Sequence, residues 1–303
     1  MTVERALIRR VLAPTLSGAA RVLARADECV QDAARTARFL QGAVEFESRP
    51  DDVFVSSYPR SGTTWVQFIL YLLTSDRRVD FRHISEVQPW YERSLALGTK
   101  RAADYEAKPS PRVFKSHLPR RWLPRAGRFV YVYRRVEDVL VSYYAFYRSH
   151  LAYKNDFASF VDRFVEGDLQ YGTWWKHVSG WMRFREDPQV KIVRYEDLKR
   201  APDRVVGELA AFIYPGRVIE RDVLIDVLEK ASFDFMKREE HRFDPVTELL
   251  IDRGHIEKSF LRAGRVGGSA LDEALRLRLE SAENAAKTSI RPDVELRLAA
   301  FLH

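Results

Sequence analysis

The chain has 303 residues, 46% hydrophobic and 31% charged. That make-up excludes a disordered or fibrous chain and is long enough for a core without staples. A single cysteine, Cys29, excludes an intrachain disulfide and a cysteine-rich zinc module, and the formal net charge of +7 suits an anionic ligand, nucleic acid or a membrane face without choosing among them.

Residues 1–47 are rich in arginine and alanine, with Leu7, Val11, Leu12, Leu16, Val22 and Leu23 at roughly helical spacing. They read as an N-terminal amphipathic helical extension, packed on the following domain or presented to a membrane surface or partner. Arg9, Arg10, Arg21 and Arg25 interrupt any signal-peptide-like apolar stretch, and no run reaches the length of a membrane span. The expectation is a cytoplasmic protein with no integral membrane segment. Residues 49–52, Arg-Pro-Asp-Asp, break the helical pattern and open the main domain, taken as 48–303.

Val53 to Ser57 reads as a short buried strand, followed by a turn and an apolar helix to about Leu73. Further strands are expected at 113–115, 128–133 and 190–194, with helices at 136–147, 157–166, 172–185, 203–213, 220–230 and 270–302. Strand and helix alternate, so the fold class is α/β: a single domain with a central parallel sheet flanked by helices.

The turn between the first strand and its helix is Tyr58-Pro59-Arg60-Ser61-Gly62-Thr63-Thr64-Trp65. A strand–turn–helix aims backbone amides and the positive end of a helix dipole at one point, which is an anion site. Gly62 permits close backbone approach, Ser61, Thr63 and Thr64 bring hydroxyls, Arg60 a forked cation, and Trp65 a flat face for a base. The segment is P-loop-like, but it lacks the first glycine and the lysine of the Mg-nucleotide loop.

Further on, Val113-Phe114-Lys115-Ser116-His117 ends a strand with an ammonium and an imidazole on one face. Carboxyl ends of strands are where α/β sites gather. Arg128 to Tyr133 then runs into Arg134, with Ser142 along the next helix.

Taken together, these segments resemble the PAPS-dependent sulfotransferases of the cytosolic type, PAPS being 3′-phosphoadenosine-5′-phosphosulfate. The octapeptide 58–65 is similar to that family's 5′-phosphosulfate loop, with Arg60 where the family usually has lysine. Lys115 and His117 hold the spacing of its catalytic strand, and Arg134 and Ser142 the spacing of its 3′-phosphate motif. Tyr195, in Val193-Arg194-Tyr195-Glu196-Asp197, and the stretch from Ala231 through Phe233 to Met236 resemble its adenine contacts. Arg262-Ala263-Gly264 matches the family's C-terminal signature in its arginine and glycine, without the middle lysine and the following Asp-Trp; the short dimer motif is not recognisable, so a homodimer stays open.

The resemblance implies transfer of a sulfuryl group from PAPS to a hydroxyl of a small acceptor. His117 would be the general base, assisted by Lys115 and Arg60, without a metal. Trp90, Tyr91, Phe146, Tyr147, His150 and Trp174 are aromatic candidates for the acceptor pocket. Two other readings stay open: a phosphotransferase with a degenerate loop, and a non-catalytic nucleotide-binding protein of this P-loop-like fold. Nucleic acid is not an expected partner, because the basic residues are spread out and no recognition motif accompanies them.

Overall fold

Four short apolar runs form the sheet of the computed structural model, which describes residues 13–244 and 273–288. They are β1 (Val53–Ser57), β2 (Val113–Ser116), β3 (Arg128–Tyr133) and β4 (Val190–Arg194). All neighbours pair in parallel, in the order β2-β1-β3-β4. The first three are buried along nearly their whole length, as expected for a parallel sheet covered on both faces.

Alternation along the strands sorts side chains into two cores. Phe54, Phe114, Phe129 and Tyr131 point to one face, and Val53, Val55, Val113, Val130 and Val132 to the other. On the aromatic face Phe54 stacks between Phe114 at 5.1 Å and Phe129 at 5.6 Å. This face is covered by α1 (Ala13–Glu45), α3 (Tyr91–Leu97), α5 (Val136–His150), α6 (Phe157–Glu166), α7 (Trp174–Met182) and α12 (Glu273–Thr288). The valine face is covered by α2 (Thr63–Thr74), α8 (Tyr195–Arg200), α9 (Pro202–Ile213), α10 (Arg221–Lys230) and α11 (Phe233–Arg238). The short α4 (Ala102–Glu106) lies before β2.

The end of α1 and the residue that follows it, Phe46, belong to the aromatic core. Phe39 and Phe46 are buried, and Phe46 meets Tyr91, Tyr105 and Phe114 edge-on at 5.2, 5.8 and 5.3 Å. The side chains of Leu7, Val11, Leu12, Leu16, Val22 and Leu23 lie outside the described residues, as do Arg262, Ala263 and Gly264.

The sheet order fixes where a ligand can sit. β1 leads outward to β2 on one side, while β3 leads to β4 on the other, so the connections diverge between β1 and β3. Open α/β sheets bind ligands in the crevice outside such a switch point.

Candidate active site

The turn after β1 is held in an unusual backbone shape. Arg60 has φ 68° and Gly62 φ 99°, both left-handed. Glycine is required at 62 on two grounds: the backbone angle, and a Cβ there would lie 2.6 Å from the Tyr195 ring. Ser57 Oγ is hydrogen-bonded to Thr63 Oγ1, tying the strand end to the first turn of α2. No side chain caps α2; the Trp65 and Val66 amides donate to the Gly62 carbonyl at 3.1 and 3.2 Å, and the amides of Thr63 and Thr64 before them have no preceding helical carbonyl to meet. Ser61 is buried and its hydroxyl has no partner among the described residues.

Two arginines and two rings complete this side. Arg134, at the end of β3, donates from Nη1 to the Arg60 carbonyl at 3.1 Å and lies over the Tyr195 ring at 4.3 Å. Arg60 donates from Nε to Ser142 Oγ at 3.2 Å, with its guanidinium 5.0 Å from the centre of Phe146. Trp65 meets Tyr195 edge-on at 5.7 Å, and its indole donates to the Ala231 carbonyl at 2.7 Å. That bond brings the start of α11, where Phe233 stands, beside the loop. Arg60, Ser61, Gly62, Thr63, Thr64, Trp65, Arg134, Ser142 and Tyr195 are thus gathered around the carboxyl ends of β1 and β3, and Phe233 stands two residues on from the Ala231 carbonyl that meets Trp65.

The second side is built on β2. Its edge is extended by the backbone at Trp90, which bridges in parallel to Lys115 while the Lys115 amide donates to the Pro89 carbonyl at 2.9 Å. The indole of Trp90 therefore lies under the Lys115 ammonium, 4.0 Å from the ring centre. His117 is 5% exposed, between Trp90 at 5.0 Å and Tyr171 at 5.2 Å. Its Nδ1 lies 2.8 Å from the Ser57 carbonyl. A carbonyl only accepts, so Nδ1 carries the proton and Nε2 the lone pair. Burial first, and the Lys115 charge second, hold the His117 pKa well below its ordinary 6.5. The ring is therefore neutral through the neutral range.

Two groups that sequence reasoning missed hold His117 in place. Glu92 is 2% exposed, and its Oε1 accepts from the His117 amide at 2.8 Å and the Trp90 indole at 2.7 Å. Burial pushes its carboxyl pKa up, against these two hydrogen bonds. His177 donates from Nε2 to the His117 carbonyl at 2.9 Å, which leaves its Nδ1 to accept from the Tyr131 hydroxyl at 2.9 Å. Neither residue stands in a pattern that periodicity or spacing would single out.

The aromatic candidates divide. Trp90 lies beside Lys115 and His117. Phe146 and His150 lie on the arginine side, stacked at 4.5 Å, with His150 Nε2 3.2 Å from Asp244 Oδ2. Tyr91 is corrected: it is 1% exposed in the aromatic core, among Phe39, Phe46, Phe54 and Phe114. As the first residue of α3 it points under the sheet, while Trp90 before it points to the site. Tyr147 and Trp174 likewise pack in that core.

A family model described as the sulfotransferase domain matches residues 50–282. The chain belongs to the sulfotransferase family. It is 30% identical to sulfotransferase 1C2 of Oryctolagus cuniculus over 266 residues, covering 78% of this chain and 85% of that one. It is 32% identical to sulfotransferase 1E1 of Rattus norvegicus over 264 residues, covering 80% and 85%. The fold is similar to crystal structures of two proteins, each at 21% identity: retinol dehydratase in complex with androsterone and inactive cofactor PAP (TM-score 0.70, 86% of this chain, 88% of that one), and mouse sulfotransferase SULT7A1 complexed with PAP (TM-score 0.66, 85% and 92%). The reaction this sulfotransferase site serves is transfer of a sulfuryl group to a small molecule. Among the described residues, no helix is long and apolar enough to cross a membrane, and no cluster of three or more His, Cys, Asp or Glu side chains could hold a metal ion.

Proposed function

We propose that the donor is PAPS, that the acceptor is a hydroxyl of a small molecule, a phenol or an alcohol, and that His117 is the general base. One observation carries the reading. A buried, neutral imidazole has its Nδ1 proton committed to the Ser57 carbonyl, at the carboxyl ends of β1 and β2, beside a lysine and an arginine-lined anion loop. A basic nitrogen and fixed cations in one crevice are what in-line transfer to a hydroxyl needs.

The residues present fit a donor with two anionic ends. The backbone amides at Gly62, Thr63 and Thr64, before the first helical hydrogen bonds of α2, and the unpartnered Ser61 hydroxyl suit one phosphate. Arg134 and Ser142 suit the other, and Trp65, Tyr195 and Phe233 the base between them. Arg262, Ala263 and Gly264, outside the described residues, are assigned to the same 3′-phosphate by resemblance. PAPS supplies an activated sulfur with a phosphate leaving group. The acceptor oxygen attacks that sulfur, its proton passes to His117 Nε2, and the sulfur–oxygen bond to phosphate breaks. Lys115 and Arg60 offset the charge left on the phosphate oxygen. A cytoplasmic location is part of the proposal, supported by the cytosolic type of the motifs.

The test pairs two variants. His117→Ala is expected to lower turnover at least about 100-fold while PAP affinity, measured by calorimetry, stays near wild type. Arg134→Ala is expected to weaken PAP binding above all. Undiminished turnover in the first variant removes His117 from the mechanism. Undiminished PAP affinity in the second removes Arg134 from the 3′-phosphate site.

A further inference from the structure

Beside Lys115, a cleft is lined by Thr64, Gln67, His83, Gln88, Trp90 and Lys115 among others. Its exposed wall is mostly apolar, formed by Trp90, Ile84 and Phe243, with a few polar groups set into it. His83 and Ser85 are bonded to each other, with His83 Nδ1 2.7 Å from the Ser85 hydroxyl. Gln67 stands one turn after Thr64 on α2, so the two share a helix face. It is 1% exposed. Its amide orientation is fixed, because Nε2 donates to the Gln88 carbonyl at 3.0 Å. Its Oε1 is buried without a donor among the described residues. A buried oxygen in that state is a demand for a hydrogen-bond donor. The cleft that contains it begins at Lys115 and Trp90, where the reacting hydroxyl of the acceptor belongs.

We propose that Gln67 Oε1 receives a second hydroxyl or amino group of the acceptor, so that this sulfotransferase prefers compact acceptors with two donors, of catechol or diol type, over acceptors with one. This rests on the sulfotransferase reading and adds the acceptor class. A site built around a hydrogen bond discriminates against the analogue that lacks the group, because the buried partner is then left unsatisfied. A large sterol-like acceptor gains nothing from an oxygen held at this depth.

The experiment compares kcat/KM for two matched pairs: 4-nitrocatechol against 4-nitrophenol, and trans-1,2-cyclohexanediol against cyclohexanol. Wild-type enzyme is expected to favour the dihydroxy member of each pair by about 10-fold or more. Gln67→Met, which keeps the length and removes the oxygen, is expected to bring both ratios toward one. Gln67→Glu keeps the oxygen and is expected to retain the preference, and PAP affinity reports whether each variant is folded. Ratios near one in wild type overturn the inference while leaving sulfuryl transfer intact, and need no variant. A preference that survives in Gln67→Met also overturns it. Transfer to none of the four, with PAP still bound, overturns the phenol-or-alcohol acceptor class proposed above, and the inference with it.

Discussion

His117 and Lys115 act on each other through charge as well as through position. Burial is the larger cause of the depressed His117 pKa, and the Lys115 ammonium the next. A base of this kind works above its pKa, so the acid limb of kcat/KM should lie below the ordinary histidine value of 6.5. Lys115→Met removes the second of these causes and leaves burial and the smaller charge effects of His177 and Arg60. The limb should then move to higher pH, without reaching the ordinary value because burial remains. A limb that stays in place in this variant would mean that the lysine charge does not reach the imidazole. Glu92 is a positioning residue. Glu92→Ala takes the hydrogen-bond acceptor from the His117 amide and the Trp90 indole together, and turnover should fall about 10- to 100-fold at nearly unchanged PAP affinity. Glu92→Gln keeps a carbonyl oxygen for both donors and should recover most of the loss. Equal losses in the two variants would show that the carboxylate charge, not the oxygen, is what matters.

Among the elements, the exit from α1 at Phe46 does more than its place in the sequence suggests. Phe46 is ringed by Phe54, Tyr91, Tyr105 and Phe114, with the Arg112 guanidinium 5.0 Å from its centre. Removing such a ring costs about 3–5 kcal/mol, so Phe46→Ala should lower the urea midpoint sharply with little change of slope. A loss below 1 kcal/mol would place the ring outside the cooperative core. Hydrophobic periodicity made the four strands and α2 legible in the sequence, because each is a short apolar run bounded by breakers. It also placed α5, α6, α9 and α10 to within a few residues. It offered nothing for α3 and α4, which are short and interleave buried polar groups such as Glu92 and Ser94 with buried rings. The phosphate loop was legible because backbone geometry demands a glycine there. The acceptor side was not: an aromatic residue looks the same in sequence whether it faces a cleft, as Trp90 does, or the core, as Tyr91 does. Only the helix start between those two residues separates them.

For the molecule as a whole, the site imposes a pH dependence on stability. The sheet converges on the switch point with two neutral histidines, His117 and His177, both buried. Burial holds His177 down to about 4, from an ordinary 6.5, against the hydrogen bond it gives to the His117 carbonyl. In the unfolded chain both rings take up a proton as pH falls through 6.5; in the fold they do not. Where the unfolded state binds more protons, stability falls with falling pH. For His177 alone, the interval from 6.5 to about 4, at about 1.4 kcal/mol per pH unit, amounts to roughly 3 kcal/mol by pH 4, and roughly 2 kcal/mol of it by pH 5. Carboxylates held low by arginine or lysine, such as Glu106 and Asp226, lose their stabilisation only as pH falls past their ordinary values of 4.5 and 3.8. The loss between pH 7 and 5 is therefore mainly that of the histidines, offset in part by Glu92, whose carboxyl pKa is held up by burial, so that the fold takes its proton before the open chain does. His177→Gln supplies an amide N–H for the His117 carbonyl and an oxygen for the Tyr131 hydroxyl, but takes up no proton. Urea unfolding at pH 7 and pH 5 should show a clearly smaller drop in this variant than in wild type. Equal drops in the two proteins would mean that His177 is protonated in the fold as readily as in the open chain, and that the hydrogen-bond path from Tyr131 through His177 to His117 is not held in the tautomer described.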